Sequence, residues 1–314
     1  MVAMTSYITI GSYEFNNCNS FVTEQSWKNI TQTATIKLQN IQGVIDAIKV
    51  GDVVTIFAGY DDDITQEFKG YVSEINPNIP VEIKCECNMW KLKQRTVSMS
   101  WRNTTLKEVL KYLVPEANII ECPDVTLSPF RLDNVTVAKA LQTLKDEYLL
   151  TVYYRFDKLF VGLPYLEKGL GEVVYHMQKN VPSASEQGEL TFKRKEDLKL
   201  KVKAISIMPD NTRIEKEFGD SDGDSTTLHF YNKKESELEA LAKEQINRMK
   251  YNGYKGSLNA FGRPFTMHGM IANLEDDKFP ERQSAVFIDR VLVEYNSSTG
   301  YKRKNELGRK VLNG

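Results

Sequence analysis

The chain has 314 residues, 41% of them apolar, with 41 basic and 42 acidic side chains for a formal charge of −1. That composition excludes a disordered or membrane-spanning chain, and the even charge makes no electrostatic case for a nucleic-acid or membrane binder. The length predicts two or three domains, because single cores stop growing at about 250–300 residues.

The opening residues lack a basic stretch followed by an apolar core, so no signal peptide is expected. Four cysteines in a chain this long do not make a disulfide scaffold. Cys85 and Cys87, two apart on one strand, are expected to be small buried hydrophobes sharing a face. They lack a second pair at zinc spacing, since Cys18 and Cys122 are distant and His176, His229 and His268 are scattered. Reduced thiols suit a bacterial cytoplasm, or an assembly built inside one.

In chain order, strands are predicted over Tyr7–Phe15, Ser20–Thr23 and the Thr-rich Thr31–Leu38. Ile41–Ile48 reads as a short helical connection. Gly51-Asp52 opens an apolar strand over Val53–Phe57, and Asp61-Asp62-Asp63 forms an acidic tip. A second strand ends in Phe68-Lys69-Gly70-Tyr71-Val72. Beyond Pro77 and Pro80, Val81, Ile83, Cys85 and Cys87 alternate with charged residues, the period of a half-buried strand. These elements predict a small β-barrel over residues 1–100.

From Trp101 the pattern turns helical. Thr105 and Glu108 make a capping box before Leu106, Val109, Leu110 and Leu113, and Pro115 stops that helix. Strands at Asn118–Cys122 and Phe130–Leu132 lead into a second helix, Thr136–Tyr148. A hairpin of Thr151–Phe156 and Leu159–Gly162 completes a small α/β module over residues 101–166.

Glu167–Gly188 is a polar connection with one strand candidate at Glu172–Met177. Strands return at Leu190–Phe192, Leu198–Met208 and Thr212–Phe218. Asp220–Asp224 reads as a hairpin tip before Ser225–Tyr231. One long helix spans about 235–251, with Asn232 as the expected N-cap and Gly253 as the stop. Strands at Lys255–Phe261, Met267–Leu274, Ala285–Tyr295 and Tyr301–Leu307 then predict a second β-barrel domain over residues 167–314. The fold class is therefore α+β, mainly β, with two small barrels and an inserted α/β module.

The chain also echoes itself. Gly51 to Ile56, an acidic loop and Phe68 to Ile75 have a counterpart in Gly269 to Leu274, the loop Glu275-Asp276-Asp277 and Phe287 to Val293. The shared pattern is glycine turn, strand, charged tip, strand.

Sites for chemistry are sparse. Asp220-Ser221-Asp222-Gly223-Asp224 resembles a calcium loop, but the twelfth position is Tyr231 where an EF-hand needs glutamate, so no metal is expected there. The other two acidic tips read as solvated, with facing a partner or repelling DNA as further options. The sequence holds no G-x-S-x-G, P-loop, G-x-G-x-x-G or H-E-x-x-H. No catalytic residue and no cofactor is expected, and the three histidines read as satisfied surface or edge residues. The runs Lys193-Arg194-Lys195 and Lys302-Arg303-Lys304 read as solvated loop faces, with a phosphate track as the alternative.

In the order of four features the chain resembles the baseplate hub, or tail, proteins of contractile-tailed, Mu-like phages and related contractile injection systems. These are the Thr-rich strand ending at Leu38; Val50–Tyr60 followed by Phe68, Gly70, Tyr71 and Val72 and a link to Leu92-Lys93; the module of Thr104–Leu113, Thr136–Leu144 and Leu150–Gly162; and Gly256–Met270 with Phe287–Gly308. The chain departs from the pattern at His268-Gly269-Met270, where a Gly-Asp pair is usual.

The resemblance implies a virion structural protein of the tail baseplate, from a phage or prophage and assembled in the bacterial cytoplasm. It implies a homotrimer whose two barrels per subunit form a pseudo-sixfold collar between tail tube and central spike. DNA would pass its lumen without specific binding. Subunit contacts are expected on Val53, Val54, Ile56 and Phe57 and on Ile271 and Asn273, so that Ile56→Asp is expected to break the ring. Two other readings remain: a cell-surface glycan-binding module, and an enzyme with a flavin-type split barrel or wall-hydrolase activity.

Overall fold

The computed structural model describes residues 3–311 apart from 17, 40–42, 44, 62, 123–124, 128, 149, 166, 168, 182–188, 209 and 211. The expectations for Asp62, for 41, 42 and 44 of the helical connection and for 182–188 of the polar connection therefore lie outside the described residues, while Ile45–Ala47 forms a single 3-10 turn within that connection.

The first third supplies β1 (Met4–Ile10), β2 (Tyr13–Phe15), β3 (Ser20–Ser26), β4 (Thr33–Leu38), β5 (Val53–Tyr60), β6 (Asp63–Asn76) and β7 (Val81–Glu86), then a short helix α1 (Met89–Lys93). Where the sequence predicts one strand over Tyr7–Phe15, Gly11 and Ser12 turn the chain into the β1–β2 hairpin. Alternation then buries Ile8, Ile10, Ile36, Val54, Ile56 and Ile83 on one face.

The middle of the chain holds β8 (Thr96–Trp101), β9 (Thr104–Thr105), α2 (Leu106–Leu113), β10 (Asn118–Glu121), β11 (Thr126–Leu127), β12 (Phe130–Thr136), α3 (Val137–Glu147), β13 (Thr151–Arg155) and β14 (Lys158–Gly162). The α2 capping box forms as the residues predict: Glu108 N donates to Thr105 Oγ1 at 3.3 Å, and Thr105 N donates to Glu108 Oε2 at 2.9 Å. Thr136 caps α3 in the same way. The apolar faces of both helices meet β12–β14 in a core of their own that includes Leu110, Leu141, Val152 and Val161.

The last part supplies β15 (Glu172–His176), β16 (Leu190–Lys193), β17 (Leu200–Ile207), β18 (Arg213–Gly219), β19 (Asp224–Tyr231), α4 (Glu235–Met249), β20 (Gly253–Phe261), β21 (Ile271–Glu275), β22 (Ser284–Asn296) and β23 (Gly300–Lys310). β17 lies between β18 and β19, antiparallel to the first and parallel to the second. Asp220–Asp224 is therefore not a hairpin tip but a connection between strands that do not pair. Helix α4 covers this small sheet through Leu238 and Ala242, which pack on Val202 and Ala204. Its N-cap is Lys234, whose N donates to Glu237 Oε2 at 3.0 Å, while Asn232 takes a left-handed conformation (φ 51°).

The fold is α+β and mainly β. Thirteen strands from the two ends of the chain form one sheet in the order β16-β20-β23-β22-β3-β4-β7-β6-β5-β1-β2, with β21 beside the start of β22 and β15 beside β21. The halves join where β3 pairs with β22, and Phe21 stacks on Tyr295 with ring centres 5.2 Å apart. No ladder among the described residues closes this sheet into a ring.

A buried charge pair makes a second join. A bulge in β6 between the partners of Ile56 and Phe57 turns Glu67 inward, where it is 1% exposed. Arg303 on β23, fully buried, donates through Nη2 to Glu67 Oε1. Its other donors reach Gly262 O at 2.7 Å and Thr266 O at 3.2 Å, and Tyr301 also donates to Glu67. The Lys302-Arg303-Lys304 run is thus not a solvated face. Tyr301, Arg303, Asn305 and Leu307 alternate inward, and only the flanking lysines point out.

Replacing one partner of a buried pair strands the other charge. Glu67→Ala is expected to cost about 3–5 kcal/mol in chemical denaturation, and Glu67→Leu with Arg303→Met to recover most of that loss.

Candidate functional site

The strands expected to carry subunit contacts are interior strands. β5 is hydrogen-bonded to β1 and β6, and β21 to β15 and β22, so their backbone groups are already used. Val54 and Ile56 lie in the core at 0% exposure, so Ile56→Asp would test folding rather than assembly. The outward residues are Val53, at 45% exposure, with Phe57, Ile271 and Asn273 half-buried. Phe57 lies beside Tyr7, and Asn273 Nδ2 donates to Glu172 Oε2 at 2.8 Å. What these strands present to a partner is side chains.

The two patches are not joined, but matching turns introduce them. Gly51 N donates to Val72 O at 2.8 Å, Val72 N to Asp52 O at 2.9 Å, and Asp52 N to Lys49 O at 3.1 Å. In the second half Gly269 N donates to Ile288 O at 2.7 Å, Ile288 N to Met270 O at 2.9 Å, and Met270 N to Met267 O at 3.2 Å. Both glycines have positive φ, 95° and 89°, which a side chain would strain. The Asp52 carboxylate accepts Lys49 N at 2.8 Å, and in its counterpart the Met270 sulfur accepts Met267 N at 3.2 Å. The departure at His268-Gly269-Met270 thus leaves the turn intact.

The acidic tips are solvated at Asp61, Asp63, Glu275 and Asp277 but also tied down, and Asp276 is buried. Asp61 accepts Ala3 N at 2.9 Å, and Asp63 accepts Arg263 Nη2 at 2.9 Å. Asp276 is 3% exposed and takes bonds from Gln178, Tyr254 and the backbone of Lys278 and Phe279. Asp220 receives Leu200 N and Lys250. Among the described residues no group of three or more His, Cys, Asp or Glu side chains is placed to hold a metal ion.

Cys85 and Cys87 are both buried, but in different cores: Cys85 in that of the large sheet, Cys87 in that of the module. The strand ends between them at Glu86.

Among the described residues His176 on β15 and His229 on β19 lie on edge strands, as expected, though only His176 is satisfied, and His268 departs from the expectation altogether. His176 is buried, with Nε2 2.9 Å from Asp277 and Nδ1 accepting Gln178 N. Burial, then Arg213, pushes His229 down to about 4. His268 is wholly buried with neither ring nitrogen hydrogen-bonded, edge-on to Tyr153 at 4.6 Å. Burial, then Arg155, holds it well below the usual histidine range. Arg155 Nε donates to Glu167 Oε1 and Nη2 to Glu167 Oε2, both at 2.8 Å, and Nη2 also reaches His268 O at 2.9 Å. This cluster fastens the α/β module to the second half of the sheet.

This is the fold of phage tail proteins and of related parts of contractile injection systems. A tail protein from Neisseria meningitidis MC58 superposes with a TM-score of 0.63 at 12% identity, over 98% of this chain and 97% of that one. The 43 kDa tail protein of prophage MuSo2 from Shewanella oneidensis gives 0.62 at 13% identity, over 97% and 98%. An Escherichia coli component of the type VI secretion system, described as similar to the T4 tail proteins gp27 and gp5, gives 0.54 at 8% identity, over 98% and 77%. No protein-family model and no curated protein matches the sequence. Among the described residues no helix is long and apolar enough to cross a membrane.

A histidine held neutral in the fold binds a proton more readily when unfolded, so the unfolded state gains protons as pH falls through about 6.5. Stability is therefore present above that pH and lost below it. Between pH 7 and pH 5 the melting temperature of His268→Met is expected to fall less than that of the wild type. Equal acid limbs for the two proteins would remove His268 as a cause.

Proposed function

We propose that the chain is a non-enzymatic structural hub of a tail baseplate, forming a homotrimeric ring that adapts the tail tube to the central spike. The observation that carries this reading is the repeated turn, Gly51 with Val72 and Gly269 with Ile288, in one chain with the fold of tail proteins over nearly its whole length. Three copies of a chain with two like halves offer six like surfaces, which suits a sixfold tube on one side and a threefold spike on the other. The likeness to a type VI secretion component supports a partner of the spike class. Localisation to the virion tail and assembly in the bacterial cytoplasm, with DNA passing the lumen unread, belong to the same reading.

The working division is a first β domain over 1–100, the α/β module over 101–166 and a second β domain over 167–314. The module's own apolar core begins earlier, at Cys87 and Met89, and β8 pairs with β12, which favours a first boundary near residue 87. Within the last segment, β17–β19 and α4 form a further small cluster. The ring contacts fall to outward side chains, Val53 and Phe57 on one patch and Ile271 and Asn273 on the other.

Light scattering over a range of concentrations tests this. The expected mass is three times that of the 35.9 kDa chain. Val53→Asp with Phe57→Asp is expected to weaken assembly about tenfold or more, since each step of ~1.4 kcal/mol is tenfold, with an unchanged melting temperature. A monomer at every concentration, alone and with a purified spike protein, would sink the hub reading. A trimer insensitive to both substitutions would sink only the placement of the contacts.

A further inference from the structure

Two ammonium groups, of Lys255 and Lys310, lie near the buried ring of Tyr251, and a third, of Lys193, stands on the strand beside Lys255. β16 and β20 run antiparallel with Lys193 opposite Gly253 and Thr191 opposite Lys255, which makes the two lysines diagonal neighbours. Lys255 Nζ lies 3.3 Å from the centre of the Tyr251 ring, and Lys310 Nζ lies 5.5 Å from it. The ring packs on Gly253, where a Cβ would meet Tyr251 at 2.5 Å and Ser284 Oγ at 3.4 Å. Glycine is required there for the ring to settle between the lysines.

Among the described residues, none of these three lysines is paired with a carboxylate. The acid that acts on Tyr251, Asp289, is engaged by Lys28 and Tyr165. The hydroxyls of Tyr251 and Ser284, which border the cluster, are buried with no hydrogen-bond partner. Burial, then Lys193 and Lys310, pushes the Lys255 ammonium down to about 8. Like charges gathered with unpaired hydroxyls, on a scaffold that holds them there, make a cradle for an anion.

We propose that this cradle binds a phosphoryl group. A phosphate carries about −1.5 to −2 charges at pH 7 and three strong acceptor oxygens, which matches three lysine donors. A carboxylate carries one charge and two oxygens, and leaves most of the repulsion in place. The same chemistry comes from free phosphate or from a phosphomonoester, whereas a nucleic-acid phosphodiester, with one charge and two free oxygens, resembles the carboxylate.

The test is calorimetric titration of the full chain with inorganic phosphate at fixed ionic strength and pH 7. Sodium glutamate serves as the carboxylate arm, and glycerol 3-phosphate as the monoester arm. Saturable phosphate binding is expected, at least tenfold weaker in Lys255→Met and in Lys193→Met with Lys310→Met. Glycerol 3-phosphate binding that inorganic phosphate displaces would support the site with a monoester as its source, and binding of inorganic phosphate alone would support it with free phosphate. Absent phosphate binding in the wild type, unchanged affinity in the lysine variants, or equal binding of glutamate would overturn the proposal. Should Lys255→Met fail to fold, the variant at Lys193 and Lys310 decides.

Discussion

The contact between Arg303 and Glu67 is the constraint on which the architecture turns. Taking a guanidinium and a carboxylate wholly out of water is costly, and their attraction offsets the loss only where the remaining donors are satisfied. Here two carbonyls, of Gly262 and Thr266, and the Tyr301 hydroxyl surround the guanidinium. Glu67 reaches it only because β6 carries a bulge at that point. The pair therefore demands a particular register of β6, a particular path for 262–266 and the inward turn of β23. Residues more than 230 positions apart are fixed against each other. Such a join, together with the β3–β22 ladder, leaves little freedom for the halves to hinge.

The second constraint is repetition. Equivalent hydrogen bonds at Gly51 and Gly269 show that the same turn launches β5 into β6 and β21 into β22. What differs is the chemistry of one acceptor, carboxylate in Asp52 and thioether in Met270. A carboxylate is the stronger acceptor, but the backbone bonds already define the turn, so a weak acceptor suffices. The halves diverge beyond the turn. β5 has an antiparallel neighbour in β1, whereas β21 has a parallel neighbour in β15. Likeness is thus strongest around the strands that would face a sixfold partner.

Local signals in the sequence carried the helices and most strands. Thr105 with Glu108, Thr136, and the alternation at Val81–Cys85 specify structure within a few residues, and the fold obeys them. The glycine echo was legible for the same reason, since positive φ restricts the residue type. Long-range facts were not. The run Lys302-Arg303-Lys304 looks solvated by composition, while its alternation with Tyr301 and Asn305 places the arginine inside. Period was the better guide there, and charge misled. The parallel pairing of β17 with β19, which skips β18 in sequence and leaves it on the other side of β17, was invisible, because hairpin connections are the default reading of an acidic loop. The burial of His268 could not be read either, since its surroundings come from β13 and from Tyr153, more than a hundred residues away.

The placement of the candidate contacts bears on how such a chain could assemble. Strands whose backbone groups are all paired offer neighbours no ladder to extend, so association through β5 and β21 must rest on side-chain fit. Side-chain patches of this kind are small, and a patch built on Val53 and Phe57 gains little from one copy alone. Repeating it around a closed ring changes the balance, because each subunit is held on two sides at once and losing one contact does not release it. Among the described residues the strands of the sheet with a single neighbour are β2, β16 and β15, and such edges are where a further strand could add. In the proposed ring, rigid coupling of the two halves would have a physical use: a ring closes only if the angle between its patches is held fixed, and the buried Arg303–Glu67 pair would hold it.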